Sequence, residues 1–182
     1  MIAIPATPPR ASPAPPPKVR DYLSFSAIRA YQSCPLRYFF RYIMGLPDES
    51  VSANLVFGGA IHAAIEHHFN QLLAGTGPPG LAELLDRYAK SWKEREADHI
   101  RYGKDDRQSL DSLAQRMLDA FVKSDLAVPQ GRILAVEEEL RGELVPGIPD
   151  LLARVDLITD AADALVISDW KSAPDVSVLA QQ

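Results

Sequence analysis

An apolar segment near the end of the chain is followed by a carboxylate and a cation. Residues 165–171 are Leu-Val-Ile-Ser-Asp-Trp-Lys. Alternate residues of a strand share a face, so Asp169 and Lys171 are expected to point to the same side. A carboxylate beside an ammonium group suits the metal-assisted hydrolysis of an anionic substrate such as a phosphodiester. The spacing alone leaves a second interpretation open, which is a solvated ion pair at the end of a strand.

A second carboxylate is expected beside the first. Strands are predicted over 151–158 and 165–170, and a turn between them joins the two as a hairpin. A turn centred near Ala162 places Asp156 nearly level with Asp169. Two carboxylates next to a lysine form a hard-oxygen site suited to Mg²⁺ or Mn²⁺, whereas without a metal they repel each other. Two unrelated strand-end acids remain the alternative.

The elements that must position these residues change character along the chain. Apolar periodicity, caps and breakers predict helices in the N-terminal half: one after Ser24 or Ser26, one after Pro35 that ends at Gly45, and others over about 60–73, 81–97 and 107–126. A strand over 133–139 then precedes the hairpin. The expected fold class is α/β (α+β), with a helical N-terminal half followed by a small mixed sheet.

Composition narrows the class of protein. The chain has 182 residues, 47% of them hydrophobic, a length and composition that suit a single globular domain. Its formal net charge of −5 does not exclude nucleic-acid binding, because local patches of charge matter more than the total. No apolar stretch of about 18 residues predicts a membrane span. Cys34 is the single cysteine of the sequence, which favours a reducing, cytoplasmic compartment. Residues 1–20 are rich in proline and are expected to form a disordered tail or linker.

Five blocks of sequence, in order, resemble the PD-(D/E)XK nuclease superfamily in its RecB-like branch, which includes the RecB and AddB nuclease domains and the CRISPR-associated RecB-like nucleases. The resemblance covers about residues 22–171 and implies a restriction-endonuclease-like core. The blocks are 23–26 with Tyr31 and 34–42, then 58–66, 136–137, 153–158 and 167–172.

The resemblance implies a role for each matching position. It assigns the metal ligands to His62, Asp156, Asp169 and the backbone carbonyl of Trp170, and catalysis to Lys171, Asp169 and Asp156. Lys171 would orient or deprotonate the attacking water and stabilise the charge at phosphorus.

Further residues have less defined roles. Glu137 matches a frequent acidic position of the first strand, and Glu66, one helical turn from His62, is a candidate supporting partner. Arg37 and Arg41 lie among aromatic residues and are candidate DNA contacts, the alternative being solvated arginines on an amphipathic helix.

Three competing interpretations concern single motifs. Pro149-Asp150 spells the literal "PD", but Asp156, between two apolar residues, matches the branch pattern better. The segment from His62 to His67 resembles an inverted zinc-peptidase motif that is one residue too long. Cys34 would join a 4Fe-4S cluster only if a longer natural chain supplied further cysteines, and is otherwise expected to be a small buried apolar residue.

The sequence therefore predicts a divalent-metal-dependent DNA nuclease, expected to be an exonuclease of repair or recombination with a helicase or similar partner. A non-catalytic DNA-binding or scaffold module and a zinc hydrolase are the alternatives. Members of the branch carry a Q-x-x-x-Y segment after D-x-K, so residues 21–182 are expected to be a nuclease domain whose C-terminal part is missing, with Gln181 or Gln182 at the start of that segment.

Overall fold

The computed structural model describes residues 20–95 and 99–171, and the chain forms two compact units. Of the described residues, 20–48 and 142–151 belong to the first unit, and 49–95, 99–141 and 152–171 belong to the second. The predicted tail and the segment after Lys171 lie outside the described residues, Arg20 excepted. The described part is a mixed α/β structure in which helices precede a small mixed sheet, as predicted.

The helices of the first unit follow from its caps and breakers. After β1 (Tyr22–Ser24), α1 (Phe25–Ser33) begins where the Ser24 hydroxyl accepts the backbone N–H of Ala27 at 3.3 Å. The residue before a proline avoids helical geometry, so Cys34 is extended and α2 (Pro35–Tyr38) restarts with proline in its first turn. A π-helical segment, Phe39–Ile43, continues it.

The second unit is built around one long helix. After β2 (Val51–Ser52), α3 (Ala53–Leu73) runs for 21 residues. The predicted start near residue 60 is wrong, because the helix begins at Ala53. Val56, Phe57 and Ala60 are all buried in the core. Burial of that first apolar turn offsets the cost of about 1 kcal/mol that each of Gly58 and Gly59 imposes inside a helix.

Two amphipathic helices cover α3. These are α4 (Leu81–Glu94) and α5 (Arg107–Val122), with β3 (Ile100–Arg101) between them pairing parallel to β2. A capping box starts α5, in which the Asp106 carboxylate accepts the N–H of Ser109 at 2.7 Å. A short 3₁₀ segment, Asp125–Ala127, follows α5. The three helices share a core whose largest fully buried side chains include Phe69, Leu84, Trp92 and Leu118.

The sheet of the second unit is formed by β4 (Arg132–Gly142), β5 (Asp150–Ala161) and β6 (Ala164–Ser168), with β5 pairing to both others. The β5–β6 hairpin is antiparallel and places Leu157 opposite Ser168. Its turn is tighter than predicted, since only Ala162 and Asp163 lie outside the strands. Asp156 and Asp169 each lie one residue beyond the last pair of this hairpin, so their alignment stays a prediction.

No helix within residues 20–95 and 99–171 is long and apolar enough to cross a membrane.

Candidate active site

The helical side of the candidate site is His62. It lies in the middle of α3, flanked by the buried Ile61 and by positions that pack into the core, and its side chain is 27% exposed. Its Nδ1 atom lies 3.7 Å from Oδ1 of Asp156, which is ion-pair distance and longer than a hydrogen bond. The apolar face of α3 thus directs one imidazole toward the sheet.

Asp156 forms the centre of the site on β5. The residue is 8% exposed and therefore one of the few buried charged groups of the described chain. Its Oδ2 atom accepts the backbone N–H of Trp170 at 2.5 Å, across the hairpin. Both carboxylate oxygens are therefore engaged, one toward the helix and one toward the segment that follows β6.

Glu137 on β4 completes the group. Its side chain is 12% exposed and its backbone has φ of +53°, a left-handed conformation that non-glycine residues seldom adopt. One nitrogen or oxygen atom from each of His62, Glu137 and Asp156 lies within 4.8 Å of the others. We call these three residues the ligand cluster. Strained backbone is typical of functional sites, and here it sits under a side chain of the cluster.

The charges of the ligand cluster shift the pKa values of its members. The Asp156 carboxylate raises the pKa of His62 above its usual value, and Glu137 and Asp169 add to this, while burial opposes it. Burial alone would raise the pKa of Asp156, but His62, the Trp170 N–H and the charge of Lys171 together lower it. The metal-free cluster therefore favours an ionised Asp156 beside a protonated His62.

Asp169 and Lys171 lie beside the ligand cluster but are more exposed. Their side chains, 50% and 76% exposed, pair with each other. The predicted ligand Asp169 is outside the group of three, although its charge reaches His62. β6 ends at Ser168, so the strand alternation that predicted a shared face does not extend over residues 169–171. The roles proposed for Asp169 and Lys171 stay predictions.

Trp170 anchors this segment to the helical core. Its ring stacks on Phe69 with a centroid distance of 5.4 Å and an interplanar angle of 8°, and meets Phe121 edge-on at 6.4 Å. The backbone N–H of Trp170 donates to the Asp156 carboxylate, which places the Trp170 backbone next to the ligand cluster. A role for its carbonyl as a ligand stays a prediction.

The other polar residues of α3 face elsewhere. Glu66 lines a cleft of about 410 Å³ between α3 and α4, so its support of His62 stays a prediction. In that cleft His67 Nε2 lies 2.7 Å from the Glu83 carboxylate, while the buried His68 bonds to the carbonyl oxygen of Ala127 at 2.9 Å. His62 and His67 thus have partners on different elements, and the group of potential metal ligands found among the described residues contains His62 but not His67.

The remaining sequence candidates lie in the first unit. Arg41 pairs with Asp48 at 3.0 Å, and both it and Arg37 are exposed. Cys34, in the extended link between α1 and α2, is exposed, so its interpretation as a buried apolar residue is wrong. Asp150 begins β5, six residues from Asp156, and it is Asp156 that belongs to the ligand cluster.

The donor set of the ligand cluster fits a divalent metal ion. It offers one imidazole nitrogen and two carboxylates, which suit Mg²⁺ or Mn²⁺ and do not exclude other first-row ions. Two nearly buried carboxylates this close repel each other, so a bound cation would relieve an unfavourable interaction. The second carboxylate belongs to Glu137, which the family resemblance matched to a frequent acidic position of the first strand but with a less defined role than Asp169.

The mixed α/β structure and the match to one family model are together consistent with a restriction-endonuclease-like fold. The family model of the PD-(D/E)XK nuclease superfamily matches residues 22–180, which include both strands of the hairpin and the whole ligand cluster. No curated protein and no solved structure matched the chain. With most of its length covered by the family model, the chain belongs to the PD-(D/E)XK nuclease superfamily, whose members are in general metal-dependent nucleases.

Proposed function

We propose that this chain hydrolyses phosphodiester bonds in DNA, as an exonuclease of the RecB-like branch that works in repair or recombination with a helicase or a similar partner. The observation that carries the proposal is the ligand cluster of His62, Glu137 and Asp156 with the Lys171 ammonium close by. DNA as substrate and a single exposed Cys34 fit a reducing, cytoplasmic setting.

Mg²⁺ or Mn²⁺ is the proposed cofactor, held by His62, Glu137 and Asp156, with Asp169 and the Trp170 carbonyl as further candidate ligands. When bound, such an ion lowers the pKa of a coordinated water and offsets negative charge on the phosphate.

The residues of the chain supply the rest of the chemistry. The Trp170 N–H and His62 fix the two oxygens of Asp156, so this carboxylate is oriented before any ligand arrives. The Lys171 ammonium, 76% exposed, can approach the scissile phosphate and balance the charge that develops there. Breaking the ion pair between Lys171 and Asp169 would cost little free energy, since exposed ion pairs contribute about 0–1 kcal/mol.

Arg37 and Arg41 are proposed DNA contacts of the first unit. If Arg37 contacts a phosphate, its replacement by alanine should reduce the slope of the salt dependence of DNA binding by about one unit. Arg41 is already paired with Asp48, so its replacement should matter less.

The test compares two lysines with the same kind of environment. Lys171 and Lys123 are both exposed and both paired with an aspartate, Asp169 and Asp119 respectively, but Lys123 lies at the end of α5. End-labelled linear DNA and circular DNA are incubated with Mg²⁺ or Mn²⁺ and with wild type, Lys171→Ala or Lys123→Ala. We expect Lys171→Ala to lose about 10²-fold or more in cleavage rate and Lys123→Ala to match wild type.

The outcomes separate the competing functions. Equal cleavage by wild type and Lys171→Ala would reject the catalytic proposal, and DNA binding without any cleavage would favour a non-catalytic module. Degradation of linear but not circular DNA supports the exonuclease mode. Stoichiometric zinc in protein purified without chelators would favour a zinc hydrolase instead.

A further inference from the structure

Arg154 lies next to the ligand cluster, on the same strand as Asp156. The two residues are two positions apart on β5, so their side chains emerge on the same face of the sheet. The Nε atom of Arg154 lies 2.5 Å from Oε2 of Glu137 on β4. The guanidinium thus connects the two strands that supply the carboxylates of the cluster.

The ligand cluster contains more negative charge than its other partners balance. Asp156 has His62, the Trp170 N–H and the nearby Lys171. The Glu137 side chain is only 12% exposed, and it forms an ion pair with Arg154. A nearly buried carboxylate without a cationic or hydrogen-bonding partner is costly, and it would turn away from a second carboxylate.

The geometry of the pair leaves room for a cation. Arg154 engages one oxygen of Glu137, and a carboxylate has about four lone-pair sites, so acceptor capacity remains for a metal. The Arg154 side chain is 62% exposed, which puts its guanidinium toward solvent at the margin of the site. The left-handed backbone of Glu137 fixes the base of the side chain, and Arg154 fixes its end.

We propose that Arg154 is a positioning residue of the metal site, whose guanidinium holds the Glu137 carboxylate in the ligand cluster. The inference rests on the proposed function only in taking the ligand cluster as a divalent-metal site. Groups that orient metal ligands in this way typically contribute 10–100-fold to metal affinity.

A matched control lies on the same two strands. Arg132 on β4 pairs with Asp160 on β5 at 3.3 Å. Like Arg154 and Glu137, these two residues form an ion pair between an arginine and a carboxylate across β4 and β5, but neither belongs to the ligand cluster. Mn²⁺ binding to the full chain is measured by isothermal titration calorimetry without DNA. We expect Arg154→Met to weaken Mn²⁺ binding about 10-fold or more, Arg154→Lys to restore part of the affinity, and Arg132→Met to leave it unchanged.

A double-mutant cycle shows whether Arg154 acts through Glu137. In a Glu137→Gln background, Arg154→Met should change the Mn²⁺ affinity by less than about twofold, because the carboxylate that it positions is gone. Unfolding midpoints of the variants are measured in parallel, and Arg154→Lys keeps the test informative if Arg154→Met folds poorly.

Two results would overturn the inference. Mn²⁺ binding to Arg154→Met as tight as to wild type, or tighter, would mean that the guanidinium acts only as a competing positive charge. A wild type that binds no Mn²⁺ would remove the metal site itself. Because DNA is absent from this measurement, Mn²⁺ binding without DNA cleavage would contradict the proposed function and leave the role of Arg154 standing.

Discussion

Replacement of Trp170 by alanine is expected to lower the free energy of unfolding by about 2–4 kcal/mol. The ring has two aromatic contacts, with Phe69 and Phe121, and each such pair contributes about 0.5–1.5 kcal/mol beyond burial. The side chain is half-buried against the core, so loss of its apolar burial adds about 1 kcal/mol. The sum is a large part of the 5–15 kcal/mol typical of a domain.

The same substitution should also weaken Mn²⁺ binding, because the Trp170 N–H that holds Asp156 belongs to the segment that the ring anchors. Urea unfolding monitored by circular dichroism measures the stability, and calorimetry measures the affinity. Trp170→Phe, which keeps an aromatic ring against Phe69, should retain most of both.

Leu165→Ala is the matched control, because Leu165 is an apolar residue of β6 in the same hairpin but is 68% exposed. Its effect should stay within about 0.5 kcal/mol. A loss below about 1 kcal/mol for Trp170→Ala would refute the reasoning, since two packed aromatic pairs cannot then be present.

Two further predictions concern pH and the backbone. Because the pKa of His62 is raised in the folded, metal-free protein, its stabilising effect is complete below its unfolded pKa of about 6.5 and is lost as the pH rises through the folded value. The stability of wild type relative to His62→Gln should therefore fall as the pH rises above about 6.5, while Mn²⁺ affinity, which needs neutral imidazole, should rise. A stability difference that does not change with pH would contradict the raised pKa of His62. Gly131→Ala should cost about 2–5 kcal/mol in urea unfolding, because Gly131 has φ of +97° and a Cβ there would lie 2.1 Å from the carbonyl oxygen of Asp160. Gly75→Ala, at φ of +72° with nothing within 4 Å, should cost only about 1–2 kcal/mol, and equal losses would rule out the steric explanation.

Local signals predicted the elements wherever local chemistry controls them. The Ser24 cap, the break at Pro35 and the periodicity of α4 and α5 all correspond to structure within a few residues. The error at the start of α3 has a tertiary cause, because two consecutive glycines normally interrupt a helix and burial of Val56 and Phe57 carries the helix through them. The turn at Ala162 was placed correctly but made too wide, since strand pairing extended over residues whose propensity favours turns.

The candidate site divides in the same way. Antiparallel pairing fixes partners once a turn is placed, so the register of the β5–β6 hairpin, which pairs Leu157 with Ser168, followed from the sequence. The contribution of Glu137 did not, because β4 is separated from the hairpin in sequence and its residue pairing depends on how the strands meet. Arg154 lies within the matching block 153–158, but the sequence assigned no role to it, and the role proposed for it rests on its contact with Glu137.

The sequence by itself determined the superfamily and the order of helices before sheet, and it predicted His62, Asp156 and Asp169 as metal ligands. These depend on residue identity and on short spacing, which local chemistry governs. Only the tertiary structure decided that Glu137, held by Arg154, joins His62 and Asp156 while Asp169 turns to Lys171. That choice depends on where β4 and α3 pack against β5, and on the end of β6 at Ser168, after which strand alternation no longer fixes the direction of a side chain.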